Sequence, residues 1–222
     1  MAHAVVKDLP VRITAGDATV DGDLASPQAA TGLVVFAHGS GSSRFSERNR
    51  SVAHALNHHG YATLLMDLLT REEERIDVVT REYRFDIPLL AERVVAAIDW
   101  CARDERVRTL PIASFGASTG AAAALIAAAE RPNVVRAVVS RGGRPDLAGD
   151  ALPKVTAPTL LIVGGYDEPV IELNREAMAA MPAGHAELKI VPRATHLFEE
   201  PGALENVVEL TIEWLNSHLH SR

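Results

Sequence analysis

The sequence predicts a doubly wound α/β fold: a mainly parallel sheet of about seven or eight strands, with helices on both faces and no separate cap domain. Three observations carry that expectation. Short, continuous apolar and β-branched runs at 33–37, 62–66, 110–115, 136–140 and 159–164 read as strands buried on both faces. Segments of helical spacing stand between them, and this alternation marks βαβ units. The chain has 222 residues, 47% of them hydrophobic and 23% charged, enough to fill one core and little more, so 1–222 reads as a single domain.

In chain order, residues 11–14 and 19–24 alternate in polarity around Ala15-Gly16-Asp17, predicting a hairpin between two edge strands. The run 33–37 reads as a central strand. It passes into the loop His38-Gly39-Ser40-Gly41-Ser42-Ser43 and a helix over about 46–59, and 62–66 is the next strand. Residues 67–86, with Glu72-Glu73-Glu74 and several arginines, show no clean period and read as a long loop. A helix is expected over 87–103, where Leu90, Val94, Ile98 and Cys101 share one face; Cys101 is thus a small core residue rather than a nucleophile. Strand 110–115 leads through a tight turn into an alanine-rich helix, 121–130. Strand 136–140, the loop 141–146, strand 159–164, helix 170–181, strand 186–191 and helix 203–219 complete the expected order.

Composition narrows the function classes. A formal net charge of −7 argues against a dedicated nucleic-acid binder. No apolar run approaches the ~20 residues of a membrane span, and the first eight residues lack a charged lead and an apolar core, so a soluble, cytoplasmic protein is expected. The single cysteine excludes an internal disulfide and a cysteine-based zinc cluster. His54 and His58 stand four apart on one helix face, but no further ligand accompanies them, and no metal is expected.

The chemistry gathers where a parallel sheet places it, in loops beyond the carboxyl ends of the strands. Gly116-Ala117-Ser118-Thr119-Gly120 is a G-x-S-x-G turn between strand and helix, a setting that exposes a serine hydroxyl. A serine needs a base, and the base needs a carboxylate to fix its tautomer. Asp167 follows strand 159–164 and His196 follows strand 186–191. Asp167 also reads as a turn or helix-capping residue with Glu168 as an adjacent rival, whereas His54, His58 and His59 fall on a helix, His218 and His220 on the C-terminal tail and His185 at the wrong end of a strand. The order Ser118, Asp167, His196 is that of α/β-hydrolases. A tetrahedral oxyanion requires preorganised N–H donors, for which the sequence offers Thr119 and, in the first glycine-rich loop, Ser40. Candidate substrate contacts are His38 and Gly39 in that loop, with Arg141 and Arg144 to grip a carboxylate or phosphate; Arg44, Arg81 and Arg84 lie in nearby loops.

Taken together, His-Gly-Ser-Gly-Ser-Ser, Gly-Ala-Ser-Thr-Gly, Gly-Gly-Tyr-Asp-Glu and Ala-Thr-His-Leu-Phe-Glu-Glu-Pro-Gly resemble the small, lidless α/β-hydrolases of the dienelactone hydrolase family, over nearly the whole chain. The resemblance implies no metal or organic cofactor and a small-molecule ester or lactone cleaved through an acyl-enzyme. The same triad also admits an organophosphate hydrolase or a perhydrolase. Dienelactone hydrolases proper carry cysteine at the elbow; Ser118 in its place favours general ester chemistry. A monomer or homodimer is expected, and a non-catalytic binding role is the rival class.

Overall fold

The computed structural model describes residues 7–219; residues 1–6, which hold most of the N-terminal stretch read above, and His220 lie outside the described residues. The elements are β1 (Leu9–Ala15), β2 (Ala18–Ala25), β3 (Gly32–Ala37), α1 (Glu47–His58), β4 (Tyr61–Met66), α2 (Arg71–Thr80), α3 (Ile87–Cys101), β5 (Ile112–Ala117), α4 (Thr119–Glu130), β6 (Val135–Arg141), β7 (Thr159–Gly164), α5 (Glu168–Ala180), β8 (Ala186–Val191) and α6 (Ala203–His218). A 3-10 segment, Pro145–Lys154, precedes β7.

The strands form one sheet in the order β1-β2-β4-β3-β5-β6-β7-β8. From β4 to β8 all neighbours run parallel, which is why β3 to β7 are apolar on both faces. The N-terminal hairpin differs from expectation in one respect. β1 is an edge, but β2 also pairs antiparallel with β4, Gly22 lying opposite Met66. Alternation in β2 reported burial on one face, which an inner antiparallel strand shares with an edge strand.

Two apolar layers sandwich the sheet. On one side Leu90, Val94 and Ile98 of α3 and Ala122 to Leu125 of α4 close the core; on the other Val52 and Leu56 of α1 meet Val207 and Leu215 of α6. Cys101 is fully buried in the first layer, and burial raises its thiol pKa.

Residues 67–86 are not a loop. Leu68 and Leu69 are buried and α2 follows, closed by a capping box in which Thr70 Oγ1 accepts from Glu73 N–H (3.2 Å) and the Glu73 carboxylate accepts from Thr70 N–H (2.7 Å). The apolar residues Ile76, Val78 and Val79 are exposed, so no inward stripe announces this helix. Its anchors are polar. The buried Arg93 of α3 donates to Glu73 (2.9 Å), and the buried Asp77 accepts from Tyr83 N–H and Arg84 N–H (2.9 Å each) and from Arg84 Nε (2.6 Å).

The order of strands also positions the functional loops. Successive strands are added on one side of β3 as β4 and on the other as β5, so the winding reverses there, and the loops after β3 and β5 bound the crevice. His38 ties the β3 loop to the segment after β4. Leu68 N–H donates to His38 Nε2 (3.1 Å), which leaves the proton on Nδ1 to donate to the Gly39 carbonyl (2.9 Å). Burial holds the imidazole below its ordinary pKa, against the opposing effects of the Gly39 carbonyl and Asp67, and so favours the neutral ring that this bonding requires.

Two expectations test these anchors. Asp77→Ala, which leaves Arg84 and two N–H groups without their acceptor, should cost about 3 kcal/mol and open residues 80–86 to limited proteolysis; an unchanged melting temperature would dismiss Asp77 as an anchor. For His38, a depressed folded-state pKa means that its stabilisation is present above the unfolded value, about 6.5, and is lost as pH falls through the folded one. The melting-temperature gap between wild type and His38→Asn should therefore narrow from pH 8 to pH 5, and a gap that ignores pH would show that the imidazole does not titrate in this way.

Candidate active site

Ser118 is the residue between β5 and α4, at φ 50° and ψ −122°, a strained conformation for a side chain-bearing residue. The elbow is possible because its neighbours lack Cβ atoms. One at Gly116 would lie 2.4 Å from Ala121 Cα, and one at Gly120 would lie 2.3 Å from the Ala37 carbonyl. The β3 loop approaches as closely: a Cβ at Gly39 would stand 3.0 Å from Ser118 Cβ.

Two hydrogen bonds clamp the strained residue to the end of β6 and the loop that follows it. Ser118 N–H donates to the Arg141 carbonyl (3.3 Å), and Arg144 N–H donates to the Ser118 carbonyl (3.0 Å). That loop is pinned in turn by Asn174 of α5, fully buried, whose Nδ2 donates to the Gly143 carbonyl (3.0 Å) and to the Val170 carbonyl (2.7 Å). Sequence reading passed over Asn174. Its signal was a polar residue in the buried stripe of a helix, four after Val170 and three before Ala177.

Asp167 and His196 come together as the chain order suggested. The Asp167 carboxylate oxygen Oδ2 lies 2.6 Å from His196 Nδ1, with the Asp167 side chain 15% exposed and the imidazole 38% exposed. Asp167 is the residue before α5 but makes no side-chain capping bond, so its carboxylate is committed to the histidine; the rival Glu168 is exposed. The end of β6 abuts this pair, since a Cβ at Gly142 would meet the His196 carbonyl at 2.9 Å. His185 stands at the far, amino end of β8, where its carbonyl accepts from Thr159 N–H. His54, His58 and His59 are exposed on or beside α1.

The candidate oxyanion donors behave differently from one another. Thr119 opens α4, where backbone N–H groups and the helix dipole favour negative charge. Ser40 N–H is already engaged, donating to Thr119 Oγ1 (2.9 Å) and so fastening the β3 loop to the elbow. His38, a candidate substrate contact, has both ring nitrogens on backbone partners and ties the β3 loop to the segment after β4. A cleft of about 370 Å³ lined by His38, Ser42, Ser43, Asp67, Leu69 and Thr70 opens beside it. Phe45, Tyr166 and Leu197, one from each of the loops after β3, β7 and β8, expose apolar surface around the crevice.

Most of the candidate arginines are spoken for. Arg144 presents its fork to Asp146 (Nε–Oδ1 2.8 Å, Nη2–Oδ2 2.7 Å), Arg84 pairs with Asp77, and Arg44 lies between Asp67 and Asp23. Arg144, a candidate substrate contact, thus has an internal partner, a carboxylate two residues on. Arg81 ends α2 in the left-handed region, at φ 61°. Arg141 is the exception: it is 7% exposed, and its guanidinium has no hydrogen-bond or carboxylate partner among the described residues.

Comparison with known proteins agrees with this architecture. Two Mycobacterium tuberculosis proteins, from strains CDC 1551 / Oshkosh and ATCC 25618 / H37Rv, are 56% identical over 218 residues, 98% of this chain and 48% of theirs, and are named provisionally as phosphoribosyl transferases. The chain therefore spans about half the length of these curated relatives. The crystal structure of a dienelactone hydrolase from Anabaena variabilis is 56% identical and superposes with a TM-score of 0.94, covering 97% of this chain and 99% of that one. A dienelactone hydrolase-like promiscuous phosphotriesterase from metagenomic libraries shares the fold at 16% identity, with a TM-score of 0.74 over 95% of this chain and 99% of its own. The dienelactone hydrolase family model matches residues 20–219, and with the eight-stranded sheet and the serine elbow in place, the chain belongs to that family.

Proposed function

We propose that this protein is a serine hydrolase of small carboxylic esters or lactones, working through an acyl-enzyme and without a cofactor. The observation that carries the reading is the 2.6 Å Asp167–His196 bond on loops that share a sheet edge with the strained Ser118 elbow. In this reading Ser118 Oγ attacks the carbonyl carbon while His196 takes its proton, and Asp167, bonded to Nδ1, holds the ring so that Nε2 is the acceptor. The oxyanion is met by Thr119 N–H and by Ser40 N–H, which exchanges Thr119 Oγ1 for the substrate oxygen. Collapse breaks the ester C–O bond as His196 returns the proton to the departing alkoxide. Water then attacks the acyl-serine, giving its proton to His196; collapse breaks the acyl C–Oγ bond as His196 returns that proton to Ser118 Oγ, and the carboxylic acid leaves.

The exposed apolar rim around the crevice supports a small, open acyl site. The transferase name of the mycobacterial relatives belongs to longer proteins. Those proteins are about twice as long, and the segment they share contains the hydrolase family match.

Hydrolysis of 4-nitrophenyl esters of increasing acyl length, wild type beside Ser118→Ala, tests the proposal. The wild-type rate should peak on a short acyl chain, the variant should lose about 10⁴-fold or more, and labelling by a fluorophosphonate should vanish. Labelling that survives in Ser118→Ala would place the nucleophile elsewhere. No ester turnover by folded wild type would favour a phosphotriester or a perhydrolysis acceptor.

A further inference from the structure

Arg141 is the last residue of β6, and the alternation that places Ala137 and Val139 in the α1–α6 layer places its side chain on that same face. It is buried to all but 7%, and Nη1 is wholly enclosed with nothing to bond. The charge that acts on it is another cation, Arg48 of α1; burial and this neighbour lower its pKa to about 10, which leaves it charged at neutral pH. Arg48 itself bridges to the exposed Glu199 (3.0 Å) in the loop that carries His196, while its Nε is enclosed and unbonded.

An isolated buried cation is expensive, and chains place a partner beside it or use it. The other enclosed or half-enclosed arginines near the crevice, Arg44, Arg84 and Arg144, each have a carboxylate. Arg141 also stands beside the proposed chemistry. Its Cα is in register with Ala117, its carbonyl receives Ser118 N–H, and the next residue packs on the His196 carbonyl.

We infer that Arg141, backed by Arg48, forms an oxyanion subsite on the α1 side of the nucleophile, and that its complement is a phosphoryl group carried by the ester substrate. A planar carboxylate is satisfied by one guanidinium fork. Two cations with unbonded N–H groups and only one exposed glutamate between them suit a group with three acceptor oxygens and up to two negative charges. The assignment rests on the serine-hydrolase reading for its substrate, but not for the anion.

The test uses three 4-nitrophenyl esters of one acyl length, ending in methyl (valerate), carboxylate (glutarate) or phosphonate (4-phosphonobutyrate). The wild type should prefer the phosphonate. In Arg141→Met, which removes an unpaired buried charge at similar volume, the phosphonate-to-valerate ratio of kcat/KM should fall about 10- to 100-fold, mainly through KM. Arg141→Lys should recover part of that ratio, and Arg48→Gln should lower it by less. An unchanged ratio, or a glutarate-to-valerate ratio that falls as far as the phosphonate one, would overturn the phosphoryl assignment. If wild type turns over no carboxylic ester at all, the ester-hydrolase reading fails. The subsite is then judged by calorimetry with inorganic phosphate: binding by wild type that Arg141→Met abolishes supports it, and equal or absent binding removes it.

Discussion

The backbone bonds from Ser118 to the end of β6 and the loop that follows it are the constraint on which the rest of the site depends. A serine at φ 50° and ψ −122° sits in a conformation that costs on the order of 1–3 kcal/mol and persists because its surroundings over-determine it. Here Ser118 gives its N–H to Arg141 and its carbonyl to Arg144, and Asn174 holds Gly143 between them. The apolar layers fix where β5 and β6 lie; the clamp converts that register into one orientation for a hydroxyl.

The same loop explains how polar groups divide between holding and acting. Thr119, Arg144 and His38 all stand at the crevice, and each is tied to an internal partner: Ser40 N–H, the Asp146 carboxylate, and the Leu68 N–H with the Gly39 carbonyl. Asp167 and His196 are tied to each other through Asp167 Oδ2 and His196 Nδ1, which fixes the orientation of the imidazole.

Much of this was legible in the sequence. The strands β3, β4, β5, β6 and β7 announced themselves as apolar runs because an inner parallel strand is buried on both faces, whereas β8, at the edge, alternates and is largely exposed; once the strands are known, functional groups are expected at their carboxyl ends. The helix α2 escaped because its anchors, Glu73 and Asp77, are charged while its apolar residues face outward; Thr70 and Glu73, three apart, were the one local sign. The inner place of β2 escaped because alternation tells of one buried face and not of neighbours. Partners such as Asp146 for Arg144 or Thr119 for Ser40 depend on side-chain directions in space, which no spacing rule encodes. The solitude of Arg141 is legible only when every other charge near it has been located.

Cys101 has a consequence of a different kind. Fully enclosed among apolar side chains, with its ionisation suppressed by burial, it is silent toward thiol reagents in the folded protein. A thiol placed at position 118 would then be the one reactive sulfur among the described residues. Its alkylation rate against pH would trace the electrostatic potential at the head of α4 directly, turning the elbow into a built-in voltmeter for the field that a nucleophile there experiences.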